Sequence, residues 1–303
     1  LTRRRTIFAI GAVLIAALVI VSLTRIPAAK DTAWTEELGY REDELYPLTF
    51  HGTGTRGCPE IPIGIGGETF PFLFDTGCGG GFAVTTELAD AIEYTTLGRV
   101  EELNRDGFHR GWSDRISIGS IDVCGETFAD IETTMLDWRM TSSRPYRGLI
   151  GLAYFQGRTV TLDYRSKKAA VSPRPIDYDA LGPDYAVLPL LASSEAGQRY
   201  LPFFQGEYEG APVCVYLDTG KNYSYVHDPE APPVGPGLDA RDTADISVGG
   251  MELTLRRVAR ADLAQAEGLP YVTAIELNSD QLWEQDLIVT FDLIEGNILF
   301  RKR

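Results

Sequence analysis

Histidine is scarce in this chain: among 303 residues there are three, His51, His109 and His227. They are scattered, so neither a histidine-built metal site nor a Ser-His-Asp arrangement can be argued from their positions. Cysteine is almost as sparse. Cys58, Cys78, Cys124 and Cys214 show no CxxC spacing, which leaves zinc and thioredoxin-like readings weak. Positive charge is short too. The formal charge of −15 comes with no basic stripe, which argues against a nucleic-acid partner. The glycine-rich stretch GIGGET (64–69) precedes a strand pattern rather than a helix, so it reads as a hairpin turn and not as a phosphate loop.

What is plentiful is glycine, aromatic residues and short apolar runs, a composition that suits a β-rich fold with many turns. The first thirty residues stand apart. TRRR (2–5) precedes a run without charge at 7–23, at the lower edge of what spans a bilayer as a helix. The arginines on its N-terminal flank favour that end staying cytoplasmic. A cleaved signal peptide is the competing reading, with Pro27, Ala28 and Ala29 as a faint cleavage site. Either way the remainder is expected outside the cytoplasm, which in a bacterium is the periplasm. There a disulfide is permitted, with Cys58 and Cys124 the first pair to test against the alternative of buried free thiols.

Residues 1–30 therefore read as a single-pass signal-anchor and 31–47 as an acidic stalk. From Leu48 the pattern becomes short strands separated by Gly, Pro, Asp and Asn. TTELADAI (85–92) has a capping threonine before an apolar i, i+3, i+4 set and predicts a short helix. An internal repeat then emerges. FLFDTG (72–77) is matched by VYLDTG (215–220), ISIG (116–119) by ISVG (246–249), and RTVTLDY (158–164) by LIVTFDL (287–293). Two copies of one β unit account for most of 48–303. The expected organisation is one lobe over 48–175, a linker over 176–189 and a second lobe over 190–303.

The repeat explains why an apolar strand ends in aspartate twice. A buried lone carboxylate is costly, but two brought to one interface by a pseudo-two-fold arrangement share a proton, because like charges in contact resist double ionisation. Such a pair can hold a water, deprotonate it and protonate the carbonyl it attacks. Asp75 and Asp218 are the candidate catalytic pair. Thr76 and Thr219 can cross-link the two loops, and Gly77 and Gly220 let the backbone turn and aim N–H groups at the carboxylates. The plain alternative is two turns in which Asp caps local amides.

On these residues the sequence resembles the aspartic proteases, the clan of bilobed pepsin-like enzymes and dimeric retropepsins. The resemblance covers nearly all of 48–303. It implies an all-β fold of two similar closed-barrel lobes related by pseudo-two-fold symmetry, a cleft between them, and a flap over bound peptide. It implies an aspartic-type endopeptidase acting through water, without cofactor or metal, on protein or peptide substrates. With the anchor, those substrates are expected to be envelope proteins, and the enzyme a monomer. RGLIGL (147–152), with Ile150 and Gly151, looks like the motif that supports the first catalytic loop. The flap is expected over 99–114, with Phe108, His109 and Trp112 touching substrate. Three positions depart from the family pattern. Asn278 stands where the second lobe should carry glycine. Cys78 and Lys221 follow the two DTG triplets in place of a hydroxyl. A thiol donates weakly. Lysine either favours ionisation of the pair or salt-bridges an aspartate and impairs it. These departures keep open a second reading, a peptide-binding pseudoprotease that acts as receptor or adaptor.

Overall fold

The computed structural model describes residues 32–51, 57–79, 81–103, 109–136, 147–235 and 237–303. With 53% strand and 11% helix among the described residues, the fold is mostly β, as the composition predicts. A short helix, α1 (Ala33–Glu37), leads into β1 (Leu45–Pro47) and β2 (Thr49–His51). The first half then runs β3 (Cys58–Ile65), β4 (Glu68–Phe74), β5 (Phe82–Thr85), α2 (Thr86–Ala89), β6 (Thr95–Leu103), β7 (His109–Val123), β8 (Glu126–Leu136) and β9 (Gly148–Ile150). Next come β10 (Thr159–Asp163), β11 (Lys168–Ser172) and β12 (Tyr185–Leu191). The second half runs β13 (Phe203–Tyr208), β14 (Ala211–Asp218), β15 (Tyr225–His227), β16 (Asp242–Val248), β17 (Met251–Ala261), β18 (Thr273–Asn278) and α3 (Ser279–Glu284). The chain ends in β19 (Leu287–Asp292) and β20 (Asn297–Lys302).

The strands of the first half close on themselves. β3 pairs with β4, β4 with β9, β9 with β5, β5 with β8, β8 with β7, and β7 returns to β3. The second half repeats this circuit through β13, β14, β18, β15, β17 and β16. In both circuits the parallel pairings fall at the same two places, β4 with β9 and β5 with β8, then β14 with β18 and β15 with β17. Closure leaves no edge within either ring, and the alternate inward residues fill it. Ile61, Ile63, Phe72, Phe74, Ile116 and Ile118 do so in the first, and Val215, Leu217, Ile246, Leu253 and Ile275 in the second. The GIGGET stretch is the hairpin turn expected of it. Gly66 and Gly67 have φ of 61° and 86°, the left-handed pair that a two-residue turn between β3 and β4 requires. At α2 the Thr85 hydroxyl accepts from the Leu88 amide at 3.3 Å.

Between the rings, β1, β11, β10, β19, β20 and β12 form one continuous run of paired strands. At its centre Thr161 pairs with Thr290, the residue that the repeat sets over it, and the two hydroxyls meet at 2.7 Å. One face of this sheet, with Val160, Leu162, Val289 and Phe291, belongs to the main core. The other face is covered by the segment expected to be a stalk. Trp34 is fully buried there with Leu38, Tyr40, Ile288 and Leu299. Its indole donates to Asp163 at 2.8 Å, and the Tyr40 hydroxyl meets Thr161 at 2.8 Å. Trp34, Leu38 and Tyr40 seat it there, so 33–47 is a strap and not a stalk. Likewise β12 lies partly inside the expected linker, because Tyr185 to Pro189 pair with β20.

The proposed Cys58–Cys124 disulfide does not form. Both are free thiols. β7 ends beside Ile63, since Val123 pairs with that residue. Cys58 lies at the far end of β3, about 16 Å away at the rise of a strand, beyond disulfide reach. Burial pushes the Cys124 thiol up to about 12. Among the described residues no helix is long and apolar enough to cross a membrane; the expected anchor lies outside them.

Candidate active site

β4 and β14 deliver Asp75 and Asp218 to one place. Each strand is held in parallel register by a partner. Leu73 and Phe74 pair with Leu149 and Ile150, and Leu217 and Asp218 pair with Leu277 and Asn278. The Asp75 amide donates to the Ile150 carbonyl at 2.9 Å. Gly151 is required beneath the loop: a side-chain carbon there would lie 2.5 Å from the Cys78 carbonyl oxygen.

The two loops lock together through their threonines. The Thr76 amide donates to Thr219 Oγ1 at 3.1 Å and the Thr219 amide to Thr76 Oγ1 at 3.0 Å. Each hydroxyl then donates across to the other strand, Thr76 to the Leu217 carbonyl at 2.7 Å and Thr219 to the Phe74 carbonyl at 2.6 Å. The Gly77 amide donates to Asp75 Oδ1 at 2.8 Å and the Gly220 amide to Asp218 Oδ1 at 2.9 Å. Both glycines face the opposite carboxylate. A Cβ on Gly77 would fall 2.8 Å from Asp218 oxygens, and one on Gly220 2.4 Å from Asp75 Oδ1.

Asp75 and Asp218 meet across the two loops, since each faces the glycine two residues past the other, and like charges in contact resist double ionisation. Burial, and then the negative charge of Asp218, push the Asp75 carboxyl from 3.8 up to about 8. The glycine N–H and the charge of Lys221 act in the opposite sense. A carboxyl that keeps its proton near neutrality, set beside a second carboxyl, gives the site the groups that acid and base chemistry require.

A scan against protein-family models finds no match, and neither does a search of curated proteins.

Lys221 does not point away into solvent. Its ammonium lies 3.3 Å from Asp218 Oδ2 and 2.7 Å from Glu276 Oε1. Both carboxylates raise its affinity for protons, so it stays charged. Asn278, fully buried, fills the expected glycine position differently from Gly151. Its carboxamide donates to the Tyr223 carbonyl and lies 3.5 Å from Glu276 Oε1. Support of the second loop passes to Ser279, whose hydroxyl donates to the Thr219 carbonyl at 2.8 Å and whose amide donates to the Lys221 carbonyl at 3.2 Å. Cys78 sits in an apolar cluster with Cys58, Leu73, Ala83 and Leu149. Cys58 also reaches across to Asn222 Oδ1 at 3.3 Å.

β6 and β7 form the hairpin expected as a flap. His109 Nδ1 lies 2.8 Å from Glu101, its ring 6.2 Å from that of Trp112, and Trp112 is 58% exposed. Asp106, Gly107 and Phe108 lie outside the described residues. Glu276 and Ser279 are the site residues that motif reading missed. Glu276 had a signal: setting ELN (276–278) over LIG (149–151) puts an acid where the first half has Leu149.

Proposed function

We propose that the protein is a membrane-anchored aspartic endopeptidase, which hydrolyses peptide bonds of extracytoplasmic proteins with water activated between Asp75 and Asp218. The observation that carries this reading is the meeting of two carboxyls at one place, each held by the amide two residues on and each facing the glycine two residues past the other. In this reading the two strand circuits are lobes of an acid-protease fold, and the reciprocal threonines mark the pseudo-two-fold axis. The anchor rests on the charge-free run at 7–23.

The chemistry follows from the proton count. The ionised carboxylate takes a proton from water as its oxygen attacks the peptide carbonyl carbon. The protonated carboxyl gives its proton to the carbonyl oxygen, and a gem-diol forms. As the C–N bond breaks, the first carboxyl passes its new proton to the amide nitrogen. The other recovers one from a diol hydroxyl. The pair ends as it began.

The ammonium near Asp218 favours a second reading, because a salt-bridged carboxylate is a weaker base. Under it the protein binds extended peptides without cutting them. Incubating the full chain with a peptide library, and identifying products by mass spectrometry, separates the two. Internal cleavage that disappears in Asp75→Asn and Asp218→Asn supports the peptidase. Peptides retained intact by the unaltered protein support the receptor.

A further inference from the structure

The two halves share Asp-Thr-Gly and differ in what stands around it. Leu73 pairs with Leu149, and Tyr216, its equivalent, pairs with Glu276. Cys78 and Lys221 each stand three residues past an aspartate. The first half therefore fills these places with a thiol and a leucine in an apolar cluster. The second fills them with an ion pair of 2.7 Å. Glu276 is 2% exposed. Its burial fixes the ammonium of Lys221 at a point 3.3 Å from Asp218 Oδ2. Beside Asp75 the equivalent position holds the side chain of Cys78.

We propose that Lys221, clamped by Glu276, is the positioning residue that makes Asp218 the anion of the pair and leaves the shared proton on Asp75. Asp218 is then the base toward water, and Asp75 the acid toward the carbonyl oxygen. This assignment rests on the dyad reading above and deepens it. The raised Asp75 carboxyl agrees with it. The other titratable groups around the loop leave it standing. Tyr225 from β15 and Tyr164 beyond β10 are both raised by burial and stay neutral. Asp280 from α3, pushed up to about 6 by burial, is bound to Ser224 at 2.8 Å and to Gln281 at 2.9 Å. Cys58 from β3 donates to Asn222 Oδ1 at 3.3 Å.

The test is the acid limb of the pH–rate profile of the full chain, joined to 13C NMR titration of the Asp75 and Asp218 carboxyl carbons. Lys221→Met removes the cation that favours ionisation, so the acid limb rises by about one pH unit. That variant leaves Glu276 buried without its partner and can unfold. Lys221→Cys combined with Glu276→Leu avoids this, because it installs the pair that the first half already packs. In the unaltered protein the Asp218 carbon titrates first and Asp75 holds its proton to higher pH. In the paired variant the limb moves up by about one unit, and the two carbons share the titration. An unmoved limb with an unchanged carbon titration in the folded paired variant overturns the assignment. Absence of any cleavage by the unaltered protein counts against the peptidase, while the carbon titration still decides the role of Lys221.

Discussion

Thr76 and Thr219 hydrogen-bond to each other twice, each amide to the other's hydroxyl, although 143 residues separate them. Each hydroxyl also donates to a backbone carbonyl of the opposite strand. Four buried polar groups are thus satisfied only while the loops stay in register. Thr219→Ala leaves the Thr76 amide and the Phe74 carbonyl without this partner. It is expected to cost about 2–3 kcal/mol in urea unfolding and to reduce kcat/KM about 100-fold through misplaced carboxyls. Thr219→Ser keeps the hydroxyl and restores most of both. The pair Thr76→Ala with Thr219→Ala costs less than the sum, since both remove the same bonds. Strict additivity would show that the loops are held by something else.

The raised Asp75 carboxyl makes stability depend on pH with a definite sign. Between 3.8 and about 8 the folded protein holds a proton on this group that the unfolded chain has lost. Its contribution is therefore complete below the unfolded value and drains away as pH climbs through the folded one. Asp75→Asn removes that dependence. The melting temperature of the variant should match that of the unaltered protein near pH 4 and exceed it by roughly 2–4 °C near pH 8. Asp280, raised to about 6 by burial, acts in the same direction but is common to both proteins and cancels. A difference that is constant over this range would contradict the assignment of a perturbed carboxyl.

Much of this arrangement is legible in the sequence, and the reason is periodicity. FLFDTG and VYLDTG put apolar triplets before both aspartates, so the strands, their ends and the threonine cross-link follow from matching one half to the other. The helix at Thr86–Ala89 follows from its capping hydroxyl. Glu276 is harder to read. It lies in TAIELN, a strand buried on both faces, where side-chain alternation gives no sign that one acid faces a lysine. Cys58 and Cys124 misled because both lie near strand ends, and linear position does not tell which ends adjoin.

Trp34 shows the same limit. Its neighbours are polar and acidic, so the segment reads as a stalk. Yet the indole is fully buried and donates to Asp163, a buried carboxylate that also meets Arg303. Trp34→Ala opens a cavity against the sheet and leaves one acceptor bond of Asp163 unmade. It should cost about 3–5 kcal/mol in urea unfolding, with the greatest loss of amide protection in β10 and β19. A cost below about 1 kcal/mol would mean that the strap is dispensable to the sheet beneath it.

The central claim is tested most directly by the rate of peptide-bond cleavage in the full chain and in Asp75→Asn, Asp218→Asn and the double variant. Two carboxyls that share one proton and one water act as a unit, so each single change should lower kcat/KM by at least about 1000-fold and the double change little further. A single variant that keeps a tenth of the rate, or losses that multiply in the double variant, would contradict catalysis by this pair.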